Sequence, residues 1–228
     1  MRAFIIVFLG MDGSGKSTLS KELYHNLEKL GYKVTYNWWL EGENSIIRRF
    51  LRVTTRNPLI KDQKVKKSKN EILKRNTIVN FFYPKIVIYD YLISGFFKIR
   101  FSSLFQKNKI KIFDRFYYDT LFALAEEFDI PDLVVKKYLL KFQRYLKDPD
   151  VLFFIDVPPE VAYSRKKEEL LSQENALKMW KDYQKLFDII KKFPKKGIYK
   201  IDNSQNISSV NIDTLNYTLE RIGIITNE

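Results

Sequence analysis

The sequence predicts an α/β domain in which five parallel strands form one sheet and helices cover both of its faces. Apolar runs of strand length recur along the chain, and segments whose apolar residues have helical spacing lie between them. This alternation is typical of a parallel sheet, because each strand needs a crossover before the next parallel strand can begin. A glycine-rich loop follows the first apolar run directly, which indicates that the sheet carries a phosphate-binding site.

The candidate strands are short runs that are rich in apolar and β-branched residues. FIIVFLG at 4–10 carries no charge, as is typical of a strand buried on both faces of a sheet. The other four candidates, in chain order, are KVTYNWW at 33–39, KIKIFD at 109–114, VLFFIDV at 151–157 and GIYKID at 197–202. We expect ligands to bind beyond the carboxyl ends of these strands, as in other open parallel sheets.

One stretch between strands is unusually long. Residues 44–106 have mostly helical spacing and must form more than one helix, with breaks predicted at Pro58 and Pro84. We expect this stretch to be a helical insertion that covers one side of a cleft. Its basic run from Lys61 to Lys69 is more typical of a solvated segment than of a binding site.

Composition limits the classes of function. The 228 residues contain no cysteine and a single histidine, His25, which excludes disulfides, thiolate metal sites and histidine clusters. The net charge of +13 is compatible with nucleic-acid binding, but the lysines are spread over most helices and no recognition motif accompanies them. The first apolar run is too short to span a membrane and ends in the glycine-rich loop, so we expect a cytoplasmic protein without membrane association.

The glycine-rich loop carries the most specific motif. Gly10, Gly15, Lys16 and Ser17 satisfy G-x-x-x-x-G-K-[ST], between an apolar strand and a helix that begins near Lys16. Backbone N–H groups of such a loop bind phosphates, the lysine reaches the β- and γ-phosphates, and the serine hydroxyl completes a Mg²⁺ shell. The sequence therefore predicts a nucleoside triphosphate site formed by Gly10, Met11, Asp12, Gly13, Ser14, Gly15, Lys16, Ser17 and Thr18.

Other motifs separate the classes of protein that carry this loop. A GTPase would show a further strand that ends in D-x-x-G and a guanine-reading N-K-x-D, and the sequence has neither. A motor ATPase usually ends a strand in paired acidic residues, which are also missing. A small-molecule kinase needs a basic clamp for the acceptor and a basic lid over the transferred phosphoryl group. Candidates exist for both of these features.

The candidate clamp is the pair Asp114 and Arg115, at the end of the third strand. Arg115 could bind an acceptor phosphate with both ends of its guanidinium, and Asp114 could orient the acceptor or a Mg²⁺-bound water. A structural pair that caps the next helix is the alternative. The candidate lid is Arg165-Lys166-Lys167, shortly after Pro158-Pro159, which suits the first turn of a helix. Spacing alone favours a solvated face for this basic run.

Four segments together give the chain a specific resemblance. FLGMDGSGKST at 8–18, IFDRFYYD at 112–119, FFIDVPPEVAYSRKKEE at 153–169 and YKIDNSQNISSV at 199–210 follow one another as in the thymidylate kinase family. The chain is therefore identified as resembling that family of P-loop nucleoside monophosphate kinases. The resemblance implies ATP as the phosphate donor, Mg²⁺ as the cofactor and a homodimer.

Residue roles follow from the same resemblance. Asp12 matches the loop carboxylate near the acceptor's sugar, and Arg115 matches the arginine on the acceptor phosphate. Arg165 matches the start of the lid, at about 159–175. Ser14 stands where some members carry a catalytic arginine, which favours Arg165 as the catalytic cation. The resemblance also implies that Lys16, Ser17 and Thr18 hold the donor phosphates and Mg²⁺, and that the turn at 203–205 packs near the donor adenine. With Asp114 at the end of the third strand, the candidate metal residues are Ser17 and Asp114.

Two segments depart from the family pattern. The chain reads NWWLEGENS where a T-R-E-P-G-like segment is usual, and Phe116, Asp119 and Leu124 replace Tyr, Ser and Gln of the helix that holds the nucleotide. Trp38 and Trp39 either line an altered acceptor pocket or belong to the core, as an aromatic pair on a strand more often does.

The resulting prediction is a single P-loop kinase domain over residues 1–228. Its function is transfer of a phosphoryl group from ATP to a nucleoside monophosphate, with dTMP as the best single acceptor. The alternatives are a kinase for another small acceptor and a nucleotide-binding regulatory module without turnover. Retention of the catalytic residues Asp12, Lys16, Arg115 and Arg165 favours an enzyme over the module.

Overall fold

The computed structural model describes residues 3–38, 77–101, 109–128, 130–146, 148–192, 197–204 and 207–226. The predicted break at Pro58, the basic run at 61–69, Trp39 and Gln205 lie outside these residues. The chain forms two compact units, one of residues 1–39, 103–116 and 148–228, the other of residues 40–102 and 117–147. That all 228 residues act as one kinase domain stays a prediction.

The first unit contains all five predicted strands, each within a residue or two of its expected bounds. They are β1 (Phe4–Leu9), β2 (Val34–Trp38), β3 (Ile110–Asp114), β4 (Val151–Asp156) and β5 (Ile198–Asp202). All pairings are parallel and the strand order is β2-β3-β1-β4-β5. The predicted five-stranded parallel sheet is confirmed.

The helices of the first unit lie on both faces of this sheet. They are α1 (Lys16–Lys29), α5 (Pro159–Arg165), α6 (Lys167–Leu170), α7 (Gln173–Ile190) and α8 (Ile207–Thr226). Alternate β1 residues such as Phe4 and Phe8 pack with Leu23 of α1 and Val210 of α8. On another part of the sheet, the ring of Phe154 lies 4.5 Å from that of Phe187 of α7. This three-layer α/β arrangement is the predicted fold class.

The strand order places the glycine-rich loop at the centre of the sheet. β1 lies between β3 and β4, and the chain turns away from it into α1. Phe8 pairs in register with Asp114, so β3 ends beside the residues that lead into the loop. Crevices at such central positions are where open parallel sheets bind ligands. The register therefore accounts for the closeness of the loop and the Asp114-Arg115 pair.

The second unit is helical. It contains α2 (Thr77–Gly95), a π-helical segment (Phe96–Phe101), α3 (Tyr117–Glu127) and α4 (Asp132–Tyr145). The ring of Tyr117 on α3 stacks on Phe142 of α4, with centroids 4.9 Å apart. The described part of the stretch 44–106 is thus helical, as predicted. Among the residues described, no helix is long and apolar enough to cross a membrane.

The structure corrects one sequence expectation, the break at Pro84, and excludes the core alternative for Trp38. Pro84 does not end a helix, because α2 continues through it to Gly95. A proline removes one helical hydrogen bond, and burial of Ile88 and Tyr91 further along α2 offsets that loss. Trp38 is not a core residue, since 55% of it is exposed at the end of the edge strand β2.

Candidate active site

The phosphate loop depends on backbone conformations that favour glycine. Gly13 and Gly15 have φ angles of 84° and 86°, in the left-handed region. At Gly13, a Cβ would lie 2.5 Å from the carbonyl oxygen of Ala162 on α5. At Gly10, it would lie 2.5 Å from the carbonyl oxygen of Ile155 on β4. The loop therefore packs against β4 and α5 so closely that side chains are excluded.

Asp12 brings the two central cations of the site together. The Nζ of Lys16 donates to Oδ1 of Asp12 at 3.0 Å and to the backbone oxygen of Met11 at 3.2 Å. The Nη2 of Arg115 donates to the same Oδ1 of Asp12. Lys16 is buried, and Asp12 and Arg115 are each about one-quarter exposed. One carboxylate thus links the lysine of the loop to the arginine at the end of β3.

Opposing effects act on the pKa of the Asp12 carboxyl. Burial by itself would raise this pKa, because it disfavours the charged form. The Lys16 ammonium and the Arg115 guanidinium favour the carboxylate, and together with the Lys16 hydrogen bond they lower the pKa below its ordinary value. Asp12 is therefore ionised at neutral pH and neutralises part of the positive charge around it.

Arg115 occupies a backbone conformation that is rare for a residue with a side chain. Its φ is 67°, in the left-handed region, where a non-glycine residue costs roughly 1–2 kcal/mol. Its N–H donates to the backbone oxygen of Phe8 at 3.0 Å, and its Nη1 donates to the Tyr183 hydroxyl at 3.4 Å. Backbone strain of this kind is concentrated at functional sites. Here it accompanies a backbone N–H bound to β1 and a guanidinium held by α7 and the phosphate loop.

Asp114 is held on one side only. Its Oδ2 accepts a hydrogen bond from the Tyr36 hydroxyl at 3.1 Å, and the Ser20 hydroxyl lies 3.2 Å from the same Tyr36 oxygen. Burial, together with the Asp114 carboxylate and opposed by the Ser20 contact, raises the pKa of Tyr36 to about 12. The other oxygen of Asp114, Oδ1, is buried and has no hydrogen-bond partner within the described residues. Tyr36 therefore leaves this oxygen available for a ligand.

A second group of contacts joins the loop to the end of β5. The Nδ2 of Asn203 donates to the backbone oxygen of Ser14 at 2.7 Å. The Nη2 of Arg165, the last residue of α5, donates to the backbone oxygen of Asn203 at 3.0 Å. A Cβ built on Gly15 would lie 2.4 Å from Nδ2 of Asn203 and 4.0 Å from Nη1 of Arg165. Arg165 therefore lies beside the phosphate loop.

The remaining predicted residues lie at the surface. Ser17 and Thr18 are exposed in the first turn of α1, where N–H groups and the helix dipole favour an anion. Lys166 and Lys167 are exposed behind Arg165, and Lys166 forms an ion pair with Glu169 at 2.6 Å. Such exposed pairs contribute little to stability. Of the three basic residues after α5 begins, Arg165 alone has a described contact to the residues around the loop.

Sequence reasoning assigned no such contacts to Tyr36, Tyr183 and Asn203. For Asn203 a signal exists, because an amide directly after β5 falls at the same edge of the sheet as the loop. Tyr36 shares one face of β2 with Val34 and alternates with the polar residues Thr35 and Asn37, so the pattern marks it as a core position. Tyr183 lies on α7, and its contact with Arg115 depends on packing that no local pattern reports.

Known proteins are similar in sequence to nearly the whole chain. A thymidylate kinase of Leptospira interrogans is 25% identical over 226 residues, which cover 97% of this chain and 96% of the relative. A thymidylate kinase of Lactobacillus helveticus is 27% identical over 229 residues, which cover 97% of each. The chain is thus similar, over nearly its whole length, to proteins named thymidylate kinase.

The solved structure of thymidylate kinase from Ehrlichia chaffeensis has the same fold as this chain. The two superpose with a TM-score of 0.56 at 21% identity, over 96% of this chain and 99% of the other. No protein-family model matches the sequence. The sequence-based resemblance to the thymidylate kinase family is confirmed.

Proposed function

We propose that the protein transfers the γ-phosphate of ATP to a nucleoside monophosphate, with dTMP the best candidate acceptor. The relatives named above are thymidylate kinases. The observation that carries the proposal is the Asp12 carboxylate, which contacts both the donor-side lysine and the cleft arginine. Phosphoryl transfer between two anionic substrates requires such cations side by side, because positioning and charge stabilisation supply most of the catalysis.

The donor phosphates bind in the phosphate loop, from Gly10 to Thr18. Backbone N–H groups of the loop and of the first turn of α1 face the phosphates, and Lys16 neutralises their charge. Burial of Lys16 strengthens this interaction relative to an exposed ammonium, since less water screens it. When the triphosphate binds, Lys16 exchanges its contact with Asp12 for phosphate oxygens.

Arg115 binds the acceptor phosphate. Its guanidinium can donate from two nitrogens to two phosphate oxygens, a geometry that a lysine cannot reproduce. An acceptor phosphate is already anionic at neutral pH, so its oxygen can attack without a general base. The residues around the acceptor therefore act by orienting it. Asp12 is near the acceptor sugar, and Asp114 directly precedes Arg115 in the sequence.

A Mg²⁺ ion fits the donor set at Asp114 and Ser17. The buried Oδ1 of Asp114, which has no hydrogen-bond partner in the part of the chain that the structure describes, is the type of hard oxygen ligand that Mg²⁺ prefers. The Ser17 hydroxyl is a second such oxygen. No group of three or more acidic or histidine side chains that could hold a metal occurs among the described residues. This suits an ion bound largely through phosphates and water. When bound, Mg²⁺ neutralises charge on the donor phosphates.

Arg165 acts on the transition state. Its guanidinium lies beside Gly15, so it can reach the phosphoryl group as charge develops on it. Ser14 offers no cation from within the loop, which leaves that role to Arg165 at the start of the lid, residues 159–175. The enzyme thereby uses one arginine for the acceptor and another for transfer.

A coupled assay with ATP and a panel of dTMP, dUMP, dCMP and dGMP tests the proposal. We expect turnover with dTMP and weaker discrimination among acceptors than a standard thymidylate kinase shows, because Asp119 and Leu124 replace polar groups that read the nucleotide. A Lys16→Ala variant provides the matched inactive control. Turnover with none of the panel, by folded protein that binds ATP, would contradict the assignment.

A further inference from the structure

Asn203 uses three of its polar groups to connect parts of the site that are distant in sequence. Its backbone N–H donates to the backbone oxygen of Asp156 at 2.9 Å. Its side-chain Nδ2 donates to the backbone oxygen of Ser14 at 2.7 Å, and its backbone oxygen accepts from Arg165 at 3.0 Å. Asn203 is 2% exposed and its hydrogen bond to Ser14 is buried, so that bond faces little competition from water. The hydrogen bond from the exposed Arg165 is partly buried.

The attachment of Asn203 to the sheet is rigid. Asp156, whose backbone oxygen receives the Asn203 N–H, ends β4, and its carboxylate accepts from Nε1 of Trp180 at 3.0 Å and pairs with Nζ of Lys200 at 2.9 Å. These contacts fix the ends of β4 and β5 against α7. Asn203 is therefore fixed relative to the sheet, and so are the two groups that it contacts, the backbone oxygen of Ser14 and the guanidinium of Arg165.

The two groups that Asn203 contacts must be correctly placed relative to each other for phosphoryl transfer. Ser14 is in the middle of the phosphate loop, and Arg165 is the arginine assigned to the transferring phosphoryl group. We infer that Asn203 is a positioning residue, which joins Arg165 to the phosphate loop before any nucleotide binds. This inference rests on the proposed function for its catalytic consequence, whereas the contact itself is a property of the ligand-free protein.

The identity of the side chain at position 203 matters for this role. An aspartate has the same shape but presents an oxygen to the Ser14 oxygen, so repulsion replaces the hydrogen bond. A serine stays polar but is too short to span the same contact. The Gly15 position reinforces the argument, because a Cβ there would lie 2.4 Å from Nδ2 of Asn203 and displace it.

Limited trypsin digestion of the ligand-free protein tests the contact without reference to activity. Trypsin cleaves after Arg165, and an arginine whose side chain is hydrogen-bonded to Asn203 is a poor substrate. Alanine at position 203 keeps the backbone oxygen that accepts from Arg165 but loses the Nδ2 donation to Ser14, so the residue that Arg165 contacts is no longer tied to the phosphate loop. We expect Asn203→Ala to speed cleavage at Arg165 by about three- to tenfold, as loss of one buried hydrogen bond predicts. Cleavage after the exposed Lys185 of α7 serves as the internal reference. Unchanged relative cleavage at Arg165 would overturn the inference.

Kinetics test the catalytic consequence. We expect Asn203→Ala to lower kcat about tenfold. We also expect Arg165→Ala to cost several-fold less in the Asn203→Ala background than in the wild type, because contacting residues are energetically coupled. Asn26→Ala, on the last turns of α1, is the matched control and should keep wild-type kinetics. If the decrease in kcat of the double variant equals the product of the decreases in the two single variants, Asn203 does not act by positioning Arg165.

The outcomes separate this inference from the proposed function. If wild-type protein phosphorylates none of the acceptors, the function fails while the digestion still decides the contact. If turnover is normal and both digestion and kinetics are unchanged in Asn203→Ala, the inference fails while the function stands. Should Asn203→Ala not fold, as circular dichroism would reveal, Asn203→Ser leaves a smaller cavity and is subject to the same two criteria.

Discussion

Replacement of Arg115 by lysine tests the acceptor site most sharply, because it keeps the positive charge and removes the paired donor nitrogens of the guanidinium. The guanidinium reaches Asp12 through Nη2 and the Tyr183 hydroxyl through Nη1. A lysine has a single terminal nitrogen and cannot hold both partners, nor two oxygens of one phosphate, in the same geometry. The φ of 67° at this position is equally unfavourable for both residues, so backbone strain is the same in the two proteins.

The expected magnitude follows from the bond that is lost. A hydrogen bond between charged groups contributes about 1.5–3 kcal/mol, which corresponds to a roughly ten- to hundredfold increase in the acceptor KM. The ATP KM should change by less than about threefold, since Lys16 and the loop backbone remain. Thermal stability should change little, because the strained backbone and the positive charge beside Asp12 persist.

Steady-state kinetics with the acceptor varied at saturating ATP provide the measurement. Arg144→Lys, an exposed arginine of the helical unit, is the matched control and should behave like wild type. A rise in the ATP KM with an unchanged acceptor KM would place Arg115 on the donor phosphates and refute the reasoning. If neither the ATP KM nor the acceptor KM changes, Arg115 does not bind either substrate.

Three further outcomes follow from the site. Lys16→Ala should lower kcat/KM on the order of a thousandfold and weaken ATP binding measured by calorimetry, because the triphosphate charge loses its buried counterion; unchanged binding in folded protein would contradict the donor site. Arg165→Ala should lower kcat on the order of a hundredfold with little change in the ATP KM, since transition-state charge is what it stabilises; a change confined to that KM would make it a binding residue. Tyr36 ionises less readily in the folded protein, with its pKa raised to about 12, so its contribution to stability is complete below pH 10 and is lost as pH rises toward 12. The free energy of unfolding of Tyr36→Phe, measured by urea titration, should therefore fall less with rising pH across that window than that of wild type, and an identical pH dependence would show that this ionisation is not coupled to folding.

The strands and the phosphate loop were predictable because their signals are local. An apolar run such as FIIVFLG has few alternatives to a buried strand, and the glycine spacing of the loop reports backbone conformations directly. Pro84 shows the limit of a local rule, because tertiary burial of α2 outweighs the lost hydrogen bond. Trp38 shows the same limit for strands, since an aromatic residue at a strand end is not held to the core.

The network behind the candidate site was not predictable from local pattern. Tyr36 meets Asp114 across 78 positions of sequence, and Asn203 meets Ser14 across 189. Each contact depends on the order of the strands within the sheet and on their register, and a single sequence does not specify these residue by residue. The residue type predicts such a contact only once the sheet is known, because an asparagine after a strand is equally common in an ordinary turn.

The carboxylate of Asp12 acts as a counterion covalently attached to the site that it neutralises. Because it lies four residues from Lys16, its effective concentration at the two cations is at least on the order of millimolar. Dilute inorganic phosphate competes poorly with a tethered anion of this kind, whereas a nucleotide adds the binding energy of its sugar and base. The site is therefore protected from small anions, and binding of nucleotide should depend less steeply on salt than in a site without this carboxylate, since Asp12 already neutralises part of the positive charge.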